Sequence, residues 1–287
     1  MGDRKRMTDS TIHNISDTAR WVAIYRALET ERPHALFKDP FARRLAGDRG
    51  EQIFASIAKT ARHEWAYSMR TYLADRYIRQ EIDNGADMVI NLAAGLDARP
   101  YRMELPSSLQ WIEIDLPEIL DYKEQILGSA KPNCRLERIR LDLADVAARR
   151  SVFARLGSRA QKALIACEGL LIYLTREQVA GLAQDLAAVP TFRRWVTDLS
   201  SPRILQMIRK QVGQRLEAAG APLQFAPAEG PEFFEQYGWH VLDFESNLHN
   251  AARLRRVGPL LRFFARISDP KRFVPNRPWS AAVLLGR

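Results

Sequence analysis

Apolar positions follow two different rhythms along this chain. Before residue 85 they recur at helical spacing. Ala19, Val22, Ala23 and Ala27 stand three and four apart, with Trp21, Tyr25 and Arg26 beside them, which predicts a helix from Ser16. Ser16 or Asp17 is placed to cap it, and Pro33 ends it. Asp39-Pro40-Phe41 reads as an N-cap followed by proline at the first helical position of a short helix. Gly47 and Gly50 break the chain again, and residues 51–83 carry one or two amphipathic helices containing Trp65, Tyr67, Tyr72 and Tyr77.

Beyond residue 85 short apolar runs alternate with helical stretches. Strands are predicted at 88–92, 111–115, 136–142, 163–167, 193–199, 240–246 and 280–285. Helices are predicted at 117–129, 145–157, 176–189, 201–219 and 248–266. Such alternation predicts an α/β fold: a doubly wound, mostly parallel, seven-stranded sheet with helices on both faces. The expected organisation is an N-terminal helical cap over 1–85 and one compact α/β domain over 86–287.

The stretch 88–116 joins a buried strand to a small-residue turn, Ala93-Ala94-Gly95, and then to a second strand ending in Asp115. An acid 20 positions after the turn glycine, at a strand end, suits the vicinal hydroxyls of a ribose. A pyrophosphate needs several glycines and a helix N-terminus for its charge. Here Gly95 stands alone and Asp97 follows it, which disfavours a dinucleotide and suits a cationic nucleoside such as S-adenosylmethionine. Ligands of open parallel sheets lie beyond the C-terminal strand ends, so Gly95, Asp115, Asp142 and Glu168 are expected on one rim. For Asp142 a plain capping role is an equal alternative.

Three motifs carry a family resemblance: Asn91-Leu-Ala-Ala-Gly-Leu-Asp-Ala-Arg99, Glu113-Ile-Asp-Leu-Pro117 and Ala166-Cys-Glu-Gly-Leu-Leu-Ile-Tyr-Leu174. With Thr18-Ala19, Arg26-Ala27, Asp39-Pro40-Phe41 and Arg70-Thr71, the chain resembles the leucine carboxyl methyltransferase family over residues 16–200. More closely it resembles the family's bacterial branch of S-adenosylmethionine-dependent O-methyltransferases, which includes polyketide-pathway enzymes. The resemblance implies a class I methyltransferase fold, Rossmann-like, with S-adenosylmethionine as cofactor and S-adenosylhomocysteine as product. It also implies that Arg70 clamps the methionine carboxylate and that the Gly95 carbonyl and Glu168 take the amino group. Asp115, with Leu116 beside it, would hold the ribose, and Asp142 with the Leu143 backbone would meet the adenine. The family commonly has glycine where this chain has Ala93, so a methyl group crowds that turn. Asp97 and Arg99 match the family pattern and are placed to pair or to cap a helix start.

Composition narrows the setting. The chain has 287 residues, a net charge of +9 and two cysteines, Cys134 and Cys167. Two cysteines outside any ligand spacing predict neither a disulfide framework nor a metal site, and a reducing, cytoplasmic setting is expected. No apolar run reaches membrane-spanning length and no signal-like apolar segment lies near residue 1, so no membrane partner is expected. The basic residues are spread along the chain, with small clusters at Arg4-Lys5-Arg6, Arg149-Arg150 and Arg253-Arg255-Arg256, none interleaved with aromatics in a recognised binding motif, so nucleic acid is not expected and an anionic small molecule fits the charge.

If the acceptor is a carboxylate, it is already ionised and needs no base; a phenol, amine or ring carbon must lose or disperse a proton. The candidate groups are then Tyr25, Tyr173, His63, His240 and His249, none in a motif that marks it as a base. The expected activity is O-methylation of a small anionic or aromatic molecule in secondary metabolism. N- or C-methylation of an aromatic or indolic acceptor, and a cofactor-binding regulator without turnover, are the alternatives. Trp21, Tyr25, Trp65 and Tyr67 are candidate acceptor-pocket residues, with Arg20, Arg26, Arg203 and Lys210 as candidate attractors of an anion.

Overall fold

The computed structural model describes residues 15–57, 64–267 and 277–287. His63 and the Arg4-Lys5-Arg6 cluster lie outside the described residues. In chain order the elements are α1 (Ile15–Thr30), α2 (Ala42–Ile57), α3 (Glu64–Asp83), β1 (Met88–Leu92), α4 (Arg99–Arg102), β2 (Gln110–Asp115) and α5 (Pro117–Leu127). Then come β3 (Arg135–Arg140), α6 (Val146–Gly157), β4 (Ala163–Cys167), α7 (Arg176–Ala187), β5 (Phe192–Ser200), α8 (Pro202–Ile208) and α9 (Gln214–Ala218). The chain closes with β6 (His240–Ser246), α10 (Asn247–Arg253), α11 (Pro259–Ile267) and β7 (Ser280–Gly286).

All seven predicted strands form, in one sheet of order β3-β2-β1-β4-β5-β7-β6. β1 to β5 pair in parallel, and β7 runs antiparallel between β5 and β6. Parallel strands covered on both sides are buried throughout and largely apolar, as β1 and β4 are. Successive side chains still divide between two cores. Met88, Ile90 and Leu92 pack with Phe153 and Leu156 of α6 and Val179 and Leu182 of α7. Val89 faces the other way, onto Leu73, Ala74, Tyr77 and Ile78 of α3. Full burial of side chains such as Leu73 and Ile78 stabilises by roughly 1.5–3 kcal/mol each. The second half of α3 is therefore part of the sheet's own core. The cores do not divide at residue 85.

Three elements differ from expectation. The predicted helix over 248–266 is two helices: α10 ends where Arg255 turns the chain at φ 55°, and Pro259, suited to a first helical position, starts α11. The helix predicted over 201–219 contains a π-helical turn at Arg209–Gly213, which divides α8 from α9. At Gly47, φ 61° and ψ −178° kink α2 without ending it.

Candidate active site

The winding order reverses between β1 and β4: β2 and β3 add on one side of β1, and β4 and β5 on the other. The crevice at such a switch point is where open α/β sheets take ligands. Here it opens into a cavity of about 840 Å³, lined by Gly95, Asp115, Leu116, Asp142, Leu143, Glu168 and Arg70. The structure thus brings together every predicted rim residue.

β1 ends in the turn Ala93-Ala94-Gly95. Both Ala93 and Gly95 adopt left-handed backbone, φ 50° and 47°. For alanine this conformation is costly, since its Cβ crowds the following carbonyl. The turn delivers the Gly95 amide to Asp115, which donates to Oδ2 at 2.6 Å, while the Leu116 amide donates to Oδ1 at 2.7 Å. Burial pushes the Asp115 carboxyl up, and the two amides pull against it. Each oxygen keeps a further lone pair. Asp142 sits at the exposed edge of the cavity, where its Oδ1 accepts from the Ala144 amide at 2.8 Å, so the local capping role is present.

Glu168 is the centre of a second cluster. Its Oε1 accepts from Arg70 Nε and Thr71 Oγ1, both at 3.0 Å, and its Oε2 from Arg99 Nη2 at 2.7 Å. Burial alone would raise its pKa, but Arg99 and Arg70 outweigh burial and hold it at about 2. Arg99 is buried and also bonds Asp75 at 2.6 Å and Asp97 at 2.7 Å. Arg70 approaches Asp198 Oδ2 at 3.5 Å, and the other Asp198 oxygen accepts from the Gly169 amide at 2.6 Å. Burial raises the Asp198 carboxyl above its ordinary range, against the pull of Arg70.

Asp97 needs a correction. Instead of facing a ligand with a free charge, it is 9% exposed and bonded by Arg99 and by Asn91 Nδ2 at 2.8 Å. Its charge is balanced inside the protein, so what disfavours a diphosphate here is the single-glycine turn alone.

The remaining walls are apolar. Trp21 and Val22 of α1, Trp65 and Tyr67 of α3, and Ile204, Ile208 and Val212 of the α8–α9 segment line the cavity, with Leu248 of α10 and Leu261 of α11. Tyr173 also lines it, and burial raises its phenol pKa. Three other candidate catalytic groups do not reach it. Tyr25 is 1% exposed behind Tyr67, stacked on it at 4.4 Å, and accepts from Trp21 Nε1 at 3.1 Å; burial pushes its pKa up to about 12. His240 starts β6 opposite Gly286, at the sheet edge away from the rim. His249 lies in a separate cleft with its Nδ1 2.9 Å from Ser246 Oγ. Of the candidate anion attractors, Arg26 lines the cavity but is committed to Asp39 at 2.9 Å and to the Leu96 carbonyl at 2.6 Å. Arg20 stacks over Tyr122, and Arg203 and Lys210 are outside the lining.

Residues 19–187 match the profile of the leucine carboxyl methyltransferase family. The chain belongs to the leucine carboxyl methyltransferase family. Within it, a Frankia alni protein provisionally named an S-adenosyl-L-methionine-dependent methyltransferase is 30% identical over 242 residues, 79% of this chain and 83% of that protein. A similarly named Mycolicibacterium smegmatis protein is 29% identical over 271 residues, 85% of this chain and 89% of its own length. A solved DUF574 family protein from Streptomyces avermitilis shares the fold, with TM-score 0.62 at 12% identity over 94% of this chain and 97% of its own. This methyltransferase is therefore S-adenosylmethionine-dependent, with a class I fold.

The motif reading passed over Asp198 and Asp75. Asp198 lies two residues before the end of β5, as Glu168 follows β4, so the strand-end rule applied to one more strand points to it. Asp75 has no such signal, because only packing of α3 on the sheet brings it to Arg99.

Proposed function

We propose that this methyltransferase alkylates an oxygen of a small anionic or aromatic acceptor, a carboxylate in preference to a hydroxyl. The observation that carries the proposal is that the acids nearest the turn after β1 are committed and no histidine is at hand, Asp198 being the exception taken up below. Among the described residues lining the cavity there is no histidine, Glu168 is held ionised by Arg70, Thr71 and Arg99, and Asp115 already accepts two amides. A carboxylate acceptor needs no proton removed. The family's name and the resemblance to polyketide-pathway enzymes support a carboxyl acceptor and a place in secondary metabolism.

The rim residues fit the cofactor. Asp115 is a desolvated acid with spare lone pairs, suited to two ribose hydroxyls. Asp142 and the Leu143 backbone lie further along the same edge, in reach of the base. Arg70 offers a guanidinium to the methionine carboxylate, while the Gly95 carbonyl and Glu168 take the ammonium. When bound, the cofactor supplies a methyl group already activated on a sulfonium. What the protein contributes is alignment and exclusion of water. Acids outnumber free cations on this rim, which suits a cationic ligand. In this reading α1, α2 and the start of α3 act as a cap, with the α8–α9 segment and α10–α11 closing the acceptor end.

A second reading rests on Asp198, which lines the cavity with a raised carboxyl pKa. It would accept the proton of a hydroxyl acceptor. Incubation with labelled S-adenosylmethionine and a panel of carboxylic acids and phenols tests both. Base-labile label means a methyl ester; base-stable label on phenols, lost in Asp198→Asn, favours the second reading. Label on nitrogen or carbon would sink both.

A further inference from the structure

Helix α11 carries three stripes with different fates. Leu261 borders the cavity while still 37% exposed, and Ala265, four residues on, is 6% exposed, so this stripe turns toward the molecule. Arg262 and Arg266, again four apart, line a separate cleft together with His249, Arg253 and Arg255. Leu260, Phe263 and Phe264 make the third stripe, at spacings of three and four, and are 68%, 57% and 48% exposed.

The surroundings are one-sidedly basic. From Asn247 to Ile267 the sequence holds five arginines and no aspartate or glutamate. Arg256 turns inward to Glu29 at 2.9 Å, and Arg253 bonds only the neutral Asn250 at 2.6 Å. Among the described residues Arg255, Arg262 and Arg266 make no ion pair.

We propose that this face docks on a bilayer surface containing anionic phospholipid. The cleft arginines take the lipid phosphates, while Leu260 and Phe263 enter the acyl boundary. A short helix with an apolar stripe beside a basic one is the pattern of interfacial binding, and each arginine near an anionic surface adds to it. Charge complementarity selects this occupant over a second copy of the chain. A two-fold contact sets a patch against itself, and this one offers its copy arginines and no acid. Nucleic acid is less favoured, because Leu260, the most exposed side chain of the stripe, presents no ring to stack on, whereas an acyl boundary takes leucine and phenylalanine alike. Expecting no membrane partner rested on the lack of a long apolar run. No described helix is long and apolar enough to cross a membrane, but lying on one requires no such length.

Flotation of the full chain with vesicles tests this independently of turnover. With equal parts phosphatidylglycerol and phosphatidylcholine the protein should float, less so at high salt; with phosphatidylcholine alone it should stay behind. Arg262→Glu with Arg266→Glu, and separately Leu260→Ser with Phe263→Ser, should each cut partitioning at least about tenfold. Thermal melts check that each pair still folds, and a pair that does not leaves the decision to the other. No flotation with the anionic vesicles, equal flotation with neutral ones, or binding unchanged in a folded variant of either pair would overturn the proposal. So would a concentration-dependent dimer that Leu260→Ser with Phe263→Ser abolishes, in a protein that does not float.

Discussion

The Gly95 amide and the Asp115 carboxylate lie 2.6 Å apart, tying the turn after β1 to the end of β2. This one bond sets both the turn and the acid that faces the cavity. Asp115→Ala is expected to weaken S-adenosylmethionine binding by roughly 10- to 150-fold, the loss of hydrogen bonds to a charged group worth about 1.5–3 kcal/mol. Calorimetric titration with S-adenosylmethionine and S-adenosylhomocysteine measures it. Unchanged affinity would remove Asp115 from the cofactor site.

Arg99 holds Asp75, Asp97 and Glu168 at once, at 2.6–2.7 Å. Arg99→Ala leaves three acids around a buried gap and should destabilise by roughly 3–5 kcal/mol. Arg99→Lys should recover little, because an ammonium cannot reproduce the planar fork. Denaturant melts of both variants check this; full recovery with lysine would show that charge alone suffices.

Glu168 provides a pH signature. Its pKa falls from 4.5 to about 2 on folding, so its contribution is complete above pH 4.5 and is lost as pH drops through about 2. The stability gap between the wild type and Glu168→Gln should therefore close across that window. The expected size is on the order of 3 kcal/mol. A gap that stays constant with pH would mean that the carboxylate gains nothing from Arg99 and Arg70.

Ala93 sits at φ 50°, where a glycine would be unstrained. Ala93→Gly should raise stability by about 0.5–1 kcal/mol, the relief of left-handed strain less the extra freedom of glycine in the unfolded chain. Thermal melting measures it, and a lower Tm would show that the Ala93 methyl makes contacts worth more than its strain.

Tyr25 is packed behind the cavity wall and His240 is at the far sheet edge. Tyr25→Phe and His240→Ala should leave kcat within about twofold, with Tyr25→Phe costing about 1 kcal/mol of stability for the bond from Trp21. A large fall in kcat with Tm intact would return either group to the chemistry.

Alternating runs along the chain were enough to read out seven strands, their parallel core and the rim formed by Gly95, Asp115, Asp142 and Glu168. These are local signals: a strand, a tight turn and an acid at a strand end need only neighbouring residues to declare themselves. The same signals were silent on partners distant in the chain. Asp97 and Arg99 pair as their spacing allows, but that Arg99 also reaches Glu168, 69 residues on, is not written in that spacing. Tyr25 and Tyr67 look alike at helical spacing, yet one lines the cavity and the other stands behind it. Asp75 reaches Arg99 only because α3 packs its apolar side on the sheet. Which way a side chain faces, and which charge meets it there, depends on contacts between elements far apart in the chain, and hydrophobic periodicity carries no record of those contacts.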